Sequence, residues 1–427
     1  VEKMKPSRFN VWLGLSGTVF NSFSRGYGRL TPEGARVLDA VEQRGHVPDD
    51  ADPQTLQQLM RGCIIVPYEL DEIAALKVLI NRQRFSRDHL SLILCPTLDC
   101  NLRCAYCYES RNSIRMTEAI ANSLVSFAES RMKGARVASV LWYGGEPLLE
   151  LGVISRVQEN LLAVASRERV QLTSSIITNG VLLDEVVAQR LRALRVTRAQ
   201  VTLDGPAHVH DARRPTADGR GTYGTIMSNL RTASRYLDIT IRVNIDKTNR
   251  HLMSDWLSEL TPLCRSSGVR VHFARVEPVG SACISIADQC FAEQEFGAIE
   301  ADLQAEALRL GVGSPRYPSF SAPFCSALAD NSFLVEPDGS LQKCLLLAGS
   351  PSSKVGRLTD EGDAVFTPAL YPWLALDPVP QGPCTDCSYL PICMGGCPAK
   401  RISGEIPTCT RYRTNLADFL RPYAERD

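Results

Sequence analysis

The stretch Cys100-Asn101-Leu102-Arg103-Cys104-Ala105-Tyr106-Cys107 lies just beyond an apolar run, Leu92-Ile93-Leu94. A buried strand over that run delivers three cysteines, at C-x3-C-x2-C spacing, to one strand end. Three thiolates held together can ligate three irons of a cubic 4Fe–4S cluster and leave the fourth iron open to another ligand. The competing reading is a cysteine-rich turn, or cysteines at i, i+4 and i+7 packed on one helix face, because cysteine is often a small buried hydrophobe. The surroundings decide between the two.

The chain has 427 residues, 44% hydrophobic and 22% charged, which suits a large core and two or three domains. Its 47 basic and 47 acidic residues cancel. No global field favours nucleic acid or a membrane surface, and no basic run is interleaved with aromatics. No apolar h-region follows Val1-Glu2-Lys3-Met4-Lys5, so no secretory signal is expected. No stretch approaches the roughly 18–20 apolar residues of a membrane span. Fifteen cysteines without an export signal point to reduced, metal-binding thiols and not to disulfides. The expectation is a soluble cytoplasmic metalloprotein.

Before residue 88 the pattern is compact and mixed. Phe9–Phe23 reads as a short meander or hairpin, with aromatic and β-branched residues between glycine turns. Thr31-Pro32-Glu33-Gly34 reads as an N-cap with proline at the first helical position, followed by Val37, Leu38 and Val41. Pro53–Met60 reads as a second helix leading into Cys63-Ile64-Ile65-Val66, with Cys63 expected in the core. From about residue 88 strands and helices alternate. Strands are expected near Leu90–Leu94, Ala138–Trp142, Ser174–Thr178, Gln200–Leu203, Ile239–Asn244 and Val271–Arg275. Helical patterns cover Thr117–Met132, Ile154–Ala165, Glu185–Leu194, Tyr223–Tyr236 and Phe291–Leu310. Six such repeats imply an α/β fold with a parallel sheet and helices outside, whose chemistry sits at the C-terminal strand ends. The cysteine stretch falls at the first of those ends.

The second strand runs into Trp142-Tyr143-Gly144-Gly145-Glu146-Pro147. Two glycines let backbone approach a ligand closely, and the glutamate offers an acceptor for an ammonium group. One β/α unit after C-x3-C-x2-C, this pattern resembles the radical S-adenosylmethionine (SAM) superfamily. The resemblance implies a partial (β/α)6 TIM barrel in which Cys100, Cys104 and Cys107 bind the SAM cluster. It also implies that Gly144, Gly145, Glu146 and Pro147 hold the methionyl amine, and that reductive cleavage of SAM releases a 5′-deoxyadenosyl radical. By the same resemblance Tyr106 lies against the adenine. Asn179 in Thr178-Asn179-Gly180, and Thr202, Arg214 and Asn244 at later strand ends, would contact the rest of the cofactor. Local alternatives are Thr202 as strand filler, Asp204 as a turn former and Arg214 as a surface charge. Thr202-Leu203-Asp204-Gly205-Pro206, with His210, Asp211, Arg214 and Gly221-Thr222-Tyr223 following, looks like the peptide-modifying and sulfatase-maturing branch.

A second cysteine field follows: Cys325, Cys344, Cys384-x2-Cys387-x5-Cys393-x3-Cys397 and Cys409. The spacing resembles the loop-rich SPASM domain of peptide and protein maturases, with zinc the alternative for the paired C-x2-C unit. The resemblance implies two auxiliary clusters, hence three 4Fe–4S clusters in all. One would be held by Cys325, Cys344 and Cys397, the other by Cys384, Cys387, Cys393 and Cys409. The related eighth cysteine has no counterpart in Arg316–Phe324. Either the first auxiliary cluster keeps an open iron, able to bind a substrate thiolate, or Cys283 or Cys290 reaches it. Cys95 and Cys264 read as packing residues.

The implied organisation is a winged-helix-like, leader-binding domain over residues 1–87, a radical SAM core over 88–315 and a SPASM domain over 316–427. The implied function is an oxidative modification, a carbon–carbon, ether or thioether cross-link, in a ribosomally made precursor peptide. That peptide is bound through its leader, and a flavodoxin- or ferredoxin-type protein supplies electrons. The rival enzyme reading is a formylglycine-generating anaerobic sulfatase-maturing enzyme. Those place an aspartate base after the cysteine matching Cys344, where this chain has Leu345-Leu346-Leu347. A non-enzymatic reading, an iron–sulfur electron carrier or zinc-stabilised peptide-binding module, needs no SAM amine site and so leaves Gly144–Pro147 unexplained. Glu277 and His272, near the sixth strand end, are the candidate proton acceptors, although a salt bridge or core hydrogen bond explains them equally well.

Overall fold

The computed structural model describes residues 3–14, 17–109, 111–278, 285–313, 317–318, 324–406 and 409–424. Six strands form its centre: His89–Leu94, Val137–Trp142, Gln171–Thr178, Val196–Thr202, Asp238–Ile245 and Arg270–Arg275. They lie side by side in sequence order, each parallel to the next. All six are the strands expected from the sequence, with their ends moved by a few residues. The register aligns Leu94 with Trp142, Trp142 with Ile176, Thr178 with Val201, Thr202 with Arg242 and Ile245 with Arg275. The loops leaving these strands therefore share one rim.

Helices Glu118–Met132, Leu151–Glu168, Glu185–Ala193, Tyr223–Ala233 and Met253–Ser267 connect the strands. Their apolar spacing explains the packing. Ile154, Val157, Leu161, Val164 and Ala165 recur every three or four residues and are all buried. Each such leucine or valine contributes about 1.5–3 kcal/mol by leaving water. Thr117 caps the first of these helices, its Oγ1 accepting from Ile120 N at 3.3 Å. Cys95 and Cys264 are buried among apolar neighbours, as expected of packing residues.

The parallel sheet does not stop at the first strand. Ser332–Val335 pairs in parallel with His89–Leu94, and an antiparallel meander, Ser340–Gln342, Gly356–Leu358 and Ala364–Phe366, continues outward. The boundary expected at residue 316 therefore divides one sheet and does not separate two. Phe127 of helix Glu118–Met132 meets Phe333 edge-on at 5.6 Å, which ties the two parts by packing as well.

The first 87 residues hold a three-stranded antiparallel sheet, Asn10–Leu13, Thr18–Asn21 and Tyr27–Arg29, and helices Pro32–Arg44, Pro53–Arg61 and Glu72–Arg84. The cap at Thr31 is formed, with its hydroxyl accepting from Gly34 N at 3.0 Å. Val37, Leu38, Val41 and Leu59 make a small core with Met4 and Ile65. The third helix does not join it. Its Leu76 and Ile80 pack on Leu328, Val379 and Leu390, and buried Arg84 donates to the carbonyls of Leu328 and Leu374. Cys63 corrects the expectation of a core position: it is a half-buried turn residue at φ 54°. Among the described residues no helix is long and apolar enough to cross a membrane.

Phe127→Ala is expected to cost about 3–5 kcal/mol, because it opens a cavity between helix and sheet. Val186→Ala, on an exposed helix face, is expected to change stability by less than about 0.5 kcal/mol. Thermal melts of the two variants read the difference, and equal melting temperatures would contradict this packing.

Candidate functional site

The first strand delivers the cysteine loop to the rim, but not as a helix. Residues 100–107 form turns, so the one-face helical packing does not occur. Asp99 Oδ1 accepts from Cys100 N at 2.8 Å, and Leu102 N points at Cys100 Sγ at 3.4 Å. Arg103 N and Ala105 N donate to the carbonyls of Pro215 and Arg213, at 2.8 and 3.0 Å. The loop is thus sewn to the segment after the fourth strand. Cys100, Cys104 and Cys107 line one pocket. Burial pushes the Cys100 thiol up to about 12 and Cys107 to about 11, and raises Cys104. Each also feels a neighbouring cysteine or acid, so the thiols ionise only when a cation shares the site.

The second strand brings Gly144 and Gly145 against that loop, at φ 84° and 38°. A Cβ on Gly145 would lie 2.1 Å from the Asp99 carbonyl oxygen, and one on Gly144 2.9 Å from Cys95 Sγ. Only glycine fits this approach. Glu146 behaves differently from the expectation. It is fully buried and does not line the pocket. Its Oε1 accepts from Leu148 N at 3.0 Å and Thr178 Oγ1 at 2.7 Å, and its Oε2 accepts from Asn179 N at 2.7 Å. The carboxylate therefore pins the second strand end to the third and is turned away from any ammonium group. What the turn offers the pocket is backbone at Gly144 and Gly145. Pro147 is also buried outside the pocket and starts a short 3-10 helix.

Asn179, Thr202, Arg214, Asn244 and Tyr106 do converge on the pocket. Asn179 Nδ2 holds Asn101 Oδ1 at 2.7 Å. Asp204, read from sequence as a turn former, organises the rest from a fully buried position. It accepts from the Tyr106 hydroxyl, from Asn244 N at 3.2 Å and from Arg213 Nε at 3.3 Å. The Tyr106 hydroxyl also receives Arg214 Nη1 at 2.6 Å and Asn244 Nδ2 at 3.0 Å. A buried carboxylate is tolerated only with this many partners, and losing one costs about 3–5 kcal/mol. Neighbouring His210 is neutral, pushed down to about 4 chiefly by burial and then by Arg214. Its Nδ1 accepts from Asp204 N at 3.2 Å. Arg214 is buried, and among the described residues its Nε has no hydrogen-bond partner.

Several pocket residues went unnoticed in the sequence. Glu109, two positions after Cys107, is half-buried with its carboxyl raised by desolvation, and it accepts from Gly145 N at 2.6 Å. The hydroxyls of Tyr108 and Tyr143 bond each other above it. Arg242, two residues before Asn244, faces the same way by strand alternation, a signal available in the sequence. Glu277 lines the pocket, while its carboxylate is shared with Arg275 at 3.5 Å and Lys400 at 4.0 Å. His272, beside Arg242 on the next strand, does not line it.

The later cysteines approach from the other side. Cys325 precedes Ser332–Val335, Cys344 follows Ser340–Gln342 and Cys397 caps helix Pro398–Ile402. Burial drives Cys344 up to about 12, and the charges of Cys325 and Cys397 add to it, so these three lie together. Leu345 and Leu346, directly after Cys344, reach the pocket wall. Cys387 N bonds Cys384 O at 3.2 Å in a turn. Cys393 is raised by burial and also feels Cys387, and Arg413 Nη1 contacts Cys409 Sγ at 3.1 Å and feels Cys387 as well. Cys290 does not join the first set. Its Sγ sits 3.5 Å from the Ile286 carbonyl, within reach of the charges of Asp246 and Arg275. Cys283 lies outside the described residues. Among the described residues no three Cys, His, Asp or Glu side chains converge on one point as a single ion requires, whereas a cubic cluster takes each thiolate on a different iron.

Three half-buried thiols on one pocket, a glycine turn with no room for a Cβ and a buried Arg214 Nε unmatched among the described residues fit a cluster bearing a ligand with an anionic end. Comparison with known proteins agrees. The radical SAM superfamily profile matches residues 94–253. The serine-type anaerobic sulfatase-maturating enzyme of Klebsiella aerogenes is 22% identical over 345 residues, spanning 76% of this chain and 83% of that one. The solved structure of anSMEcpe with AdoMet and the Kp18Cys peptide superposes with TM-score 0.62 at 20% identity, over 79% of this chain and 98% of that one. Streptococcus suis SuiB bound to its precursor peptide SuiA gives 0.54 at 15% identity, over 96% and 98%. This chain carries a radical SAM domain and is homologous to the anaerobic sulfatase-maturating enzymes.

Proposed function

We propose that this protein is a radical SAM maturase that oxidatively cross-links a ribosomally made peptide. The observation that carries the reading is convergence on one pocket. The three-cysteine loop, the glycine turn and Arg214 line it, and Leu345 and Leu346, directly after Cys344, complete its wall. SAM bound to a reduced 4Fe–4S cluster on Cys100, Cys104 and Cys107 supplies a 5′-deoxyadenosyl radical. The chain's own groups do the positioning. The backbone at Gly144 and Gly145 receives the amine, and Arg214 Nε takes the carboxylate. Tyr106 is fixed against the cofactor by Asp204 and Asn244, while Asn179 and Thr202 close the remaining sides. The apolar wall excludes water from a reactive intermediate.

In this proposal residues 88–315 hold SAM and residues 316–427 hold two auxiliary clusters. Cys325, Cys344 and Cys397 would hold one of them, and Cys384, Cys387, Cys393 and Cys409 the other. Such clusters would supply an acceptor for the electron released when the new bond forms, and a flavodoxin- or ferredoxin-type protein would be the electron donor. Residues 1–87 bind the leader. The edge strand Tyr27–Arg29 is exposed and flanks a groove lined by Leu30, Thr55, Gln58 and Leu59, where an extended peptide would add as a strand. The anSMEcpe and SuiB structures, both solved with peptides bound, support a peptide partner.

Formylglycine formation is the second reading, favoured by the homology to sulfatase-maturating enzymes. Against it stand Leu345 and Leu346 on the pocket wall, which accept no proton. Mass spectrometry of a short peptide encoded beside this gene, after co-expression, tests both. A cross-link removes two hydrogens and leaves a product inert to hydrazide reagents. A serine converted to formylglycine also loses two hydrogens, but its aldehyde is trapped. An unchanged mass, an inverted stereocentre or a trapped aldehyde would each contradict the cross-linking reading.

Arg214→Ala is expected to weaken SAM binding about ten- to a hundredfold, the worth of one charge-assisted contact of about 1.5–3 kcal/mol. Iron content per chain should stay unchanged. Unaltered SAM affinity would remove Arg214 from the site. Replacing Cys384 and Cys387 together by alanine should lower bound iron by about four per chain, the content of one cubic cluster. Unchanged iron would deny that pair a cluster.

A further inference from the structure

The reaction pocket carries more positive charge than the SAM proposed for it accounts for. Four arginines line it, Arg111, Arg214, Arg242 and Arg275, against two carboxylates, Glu109 and Glu277. Both acids are engaged. Glu109 holds Gly145 N at 2.6 Å, and Glu277 is shared between Arg275 and Lys400. Arg275 is turned to Glu293 at 3.0 Å and to the Phe291 carbonyl at 3.0 Å, and Arg214 is committed to Tyr106 and the cofactor. That leaves Arg111, which is exposed, and Arg242. Arg242 lines the pocket from the fifth strand, half-buried, two residues before Asn244. Its Nε donates to Asn244 Oδ1 at 2.9 Å, which fixes the plane of the guanidinium. No ion pair is formed by Arg242 among the described residues. Gln200 and Tyr108 share the pocket wall with it, and its charge is felt at the Tyr108 hydroxyl.

A guanidinium held by its Nε presents its two outer nitrogens as a fixed fork, which matches a carboxylate in two parallel hydrogen bonds. Partial burial strengthens the contact and makes an unmatched cation costly. SAM does not satisfy it if Arg214, beside the cysteine loop, takes the cofactor's carboxylate.

We propose that Arg242, flanked by Gln200 and Tyr108, forms a carboxylate-binding subsite of the reaction pocket, so that the peptide segment reaching the radical presents an acidic side chain or its free C-terminal carboxylate there. This rests on the peptide-modifying reading and names the chemistry that reading leaves open. The fork sets which residue of the peptide lies beside the cofactor, because the anchored carboxylate fixes the register of the chain around it.

The test uses the cluster-reconstituted, SAM-bound enzyme at low salt and isothermal titration with two pairs of blocked tripeptides. One pair is acetyl-Gly-Asp-Gly-amide and acetyl-Gly-Asn-Gly-amide. The other is acetyl-triglycine with a free carboxylate and the same peptide amidated. The acid of one pair should bind about tenfold tighter than its neutral partner, the scale of one charged hydrogen-bonded contact. The pair that responds identifies the source of the carboxylate. Arg242→Gln should abolish the preference and Arg242→Lys, which keeps the charge and loses the fork, should retain part of it. Three outcomes would overturn the subsite: no preference in either pair, a preference that survives Arg242→Gln, or a loss of SAM affinity in that variant in place of peptide affinity. The mass of the co-expressed peptide reports separately on the maturase reading. A carboxylate preference with no modified peptide would sink that reading and leave the subsite standing.

Discussion

The approach of Gly145 to the Asp99 carbonyl is the contact on which the site depends. It brings the turn after the second strand onto the loop that carries Cys100, Cys104 and Cys107, with no room for a side chain between them. Glu146 N donates to the same carbonyl at 2.8 Å, so one backbone oxygen receives the turn. Glu146 then locks the turn to the third strand through Thr178 and Asn179. The glutamate thereby works as a buried brace, and the surface a ligand meets is peptide backbone. This arrangement explains why an acidic residue and two glycines occur together here without the acid facing the pocket.

A second brace closes the opposite side. Arg103 and Ala105 hang the cysteine loop on the carbonyls of residues 215 and 213. Asp204 gathers Tyr106, Asn244 and Arg213 beneath it. The loop is held by backbone at both ends and by one tyrosine hydroxyl in the middle. A cluster on three thiols needs such preorganisation, because ligand geometry has to survive the arrival and departure of substrate. Ser332–Val335, between Cys325 and Cys344, extends the sheet beside the first strand. Sheet continuity places Leu345 and Leu346 at the wall, and that continuity couples the two cysteine fields.

The six strands and their helices were legible because apolar runs alternate with capped, amphipathic stretches, and Thr31-Pro32 and Thr117 act as the caps they resemble. The cysteine spacings stood out in the sequence because cysteines are seldom grouped this closely, and the first three do line one pocket. Side-chain direction was less so. Glu146 was expected to face a ligand and is turned inward, since a sequence names a carboxylate without saying which backbone donors surround it. Cys290 was a candidate ligand by residue type and sits beside Asp246 and Arg275. Ser332–Val335 is a strand of only four residues, too short to announce that it joins a sheet begun at His89. Arg242 was readable from its spacing to Asn244, but one arginine on a strand carries no signal until its neighbours are known.

The central claim is that this pocket cleaves SAM to abstract hydrogen from a peptide. Anaerobic reconstitution with iron and sulfide, followed by SAM, dithionite and a co-encoded peptide deuterated at its side chains, tests it most directly. The account predicts 5′-deoxyadenosine that carries deuterium and that disappears when Cys100, Cys104 and Cys107 are replaced by alanine. Absence of 5′-deoxyadenosine from a cluster-loaded enzyme, or its formation without deuterium while the peptide is modified, would contradict it.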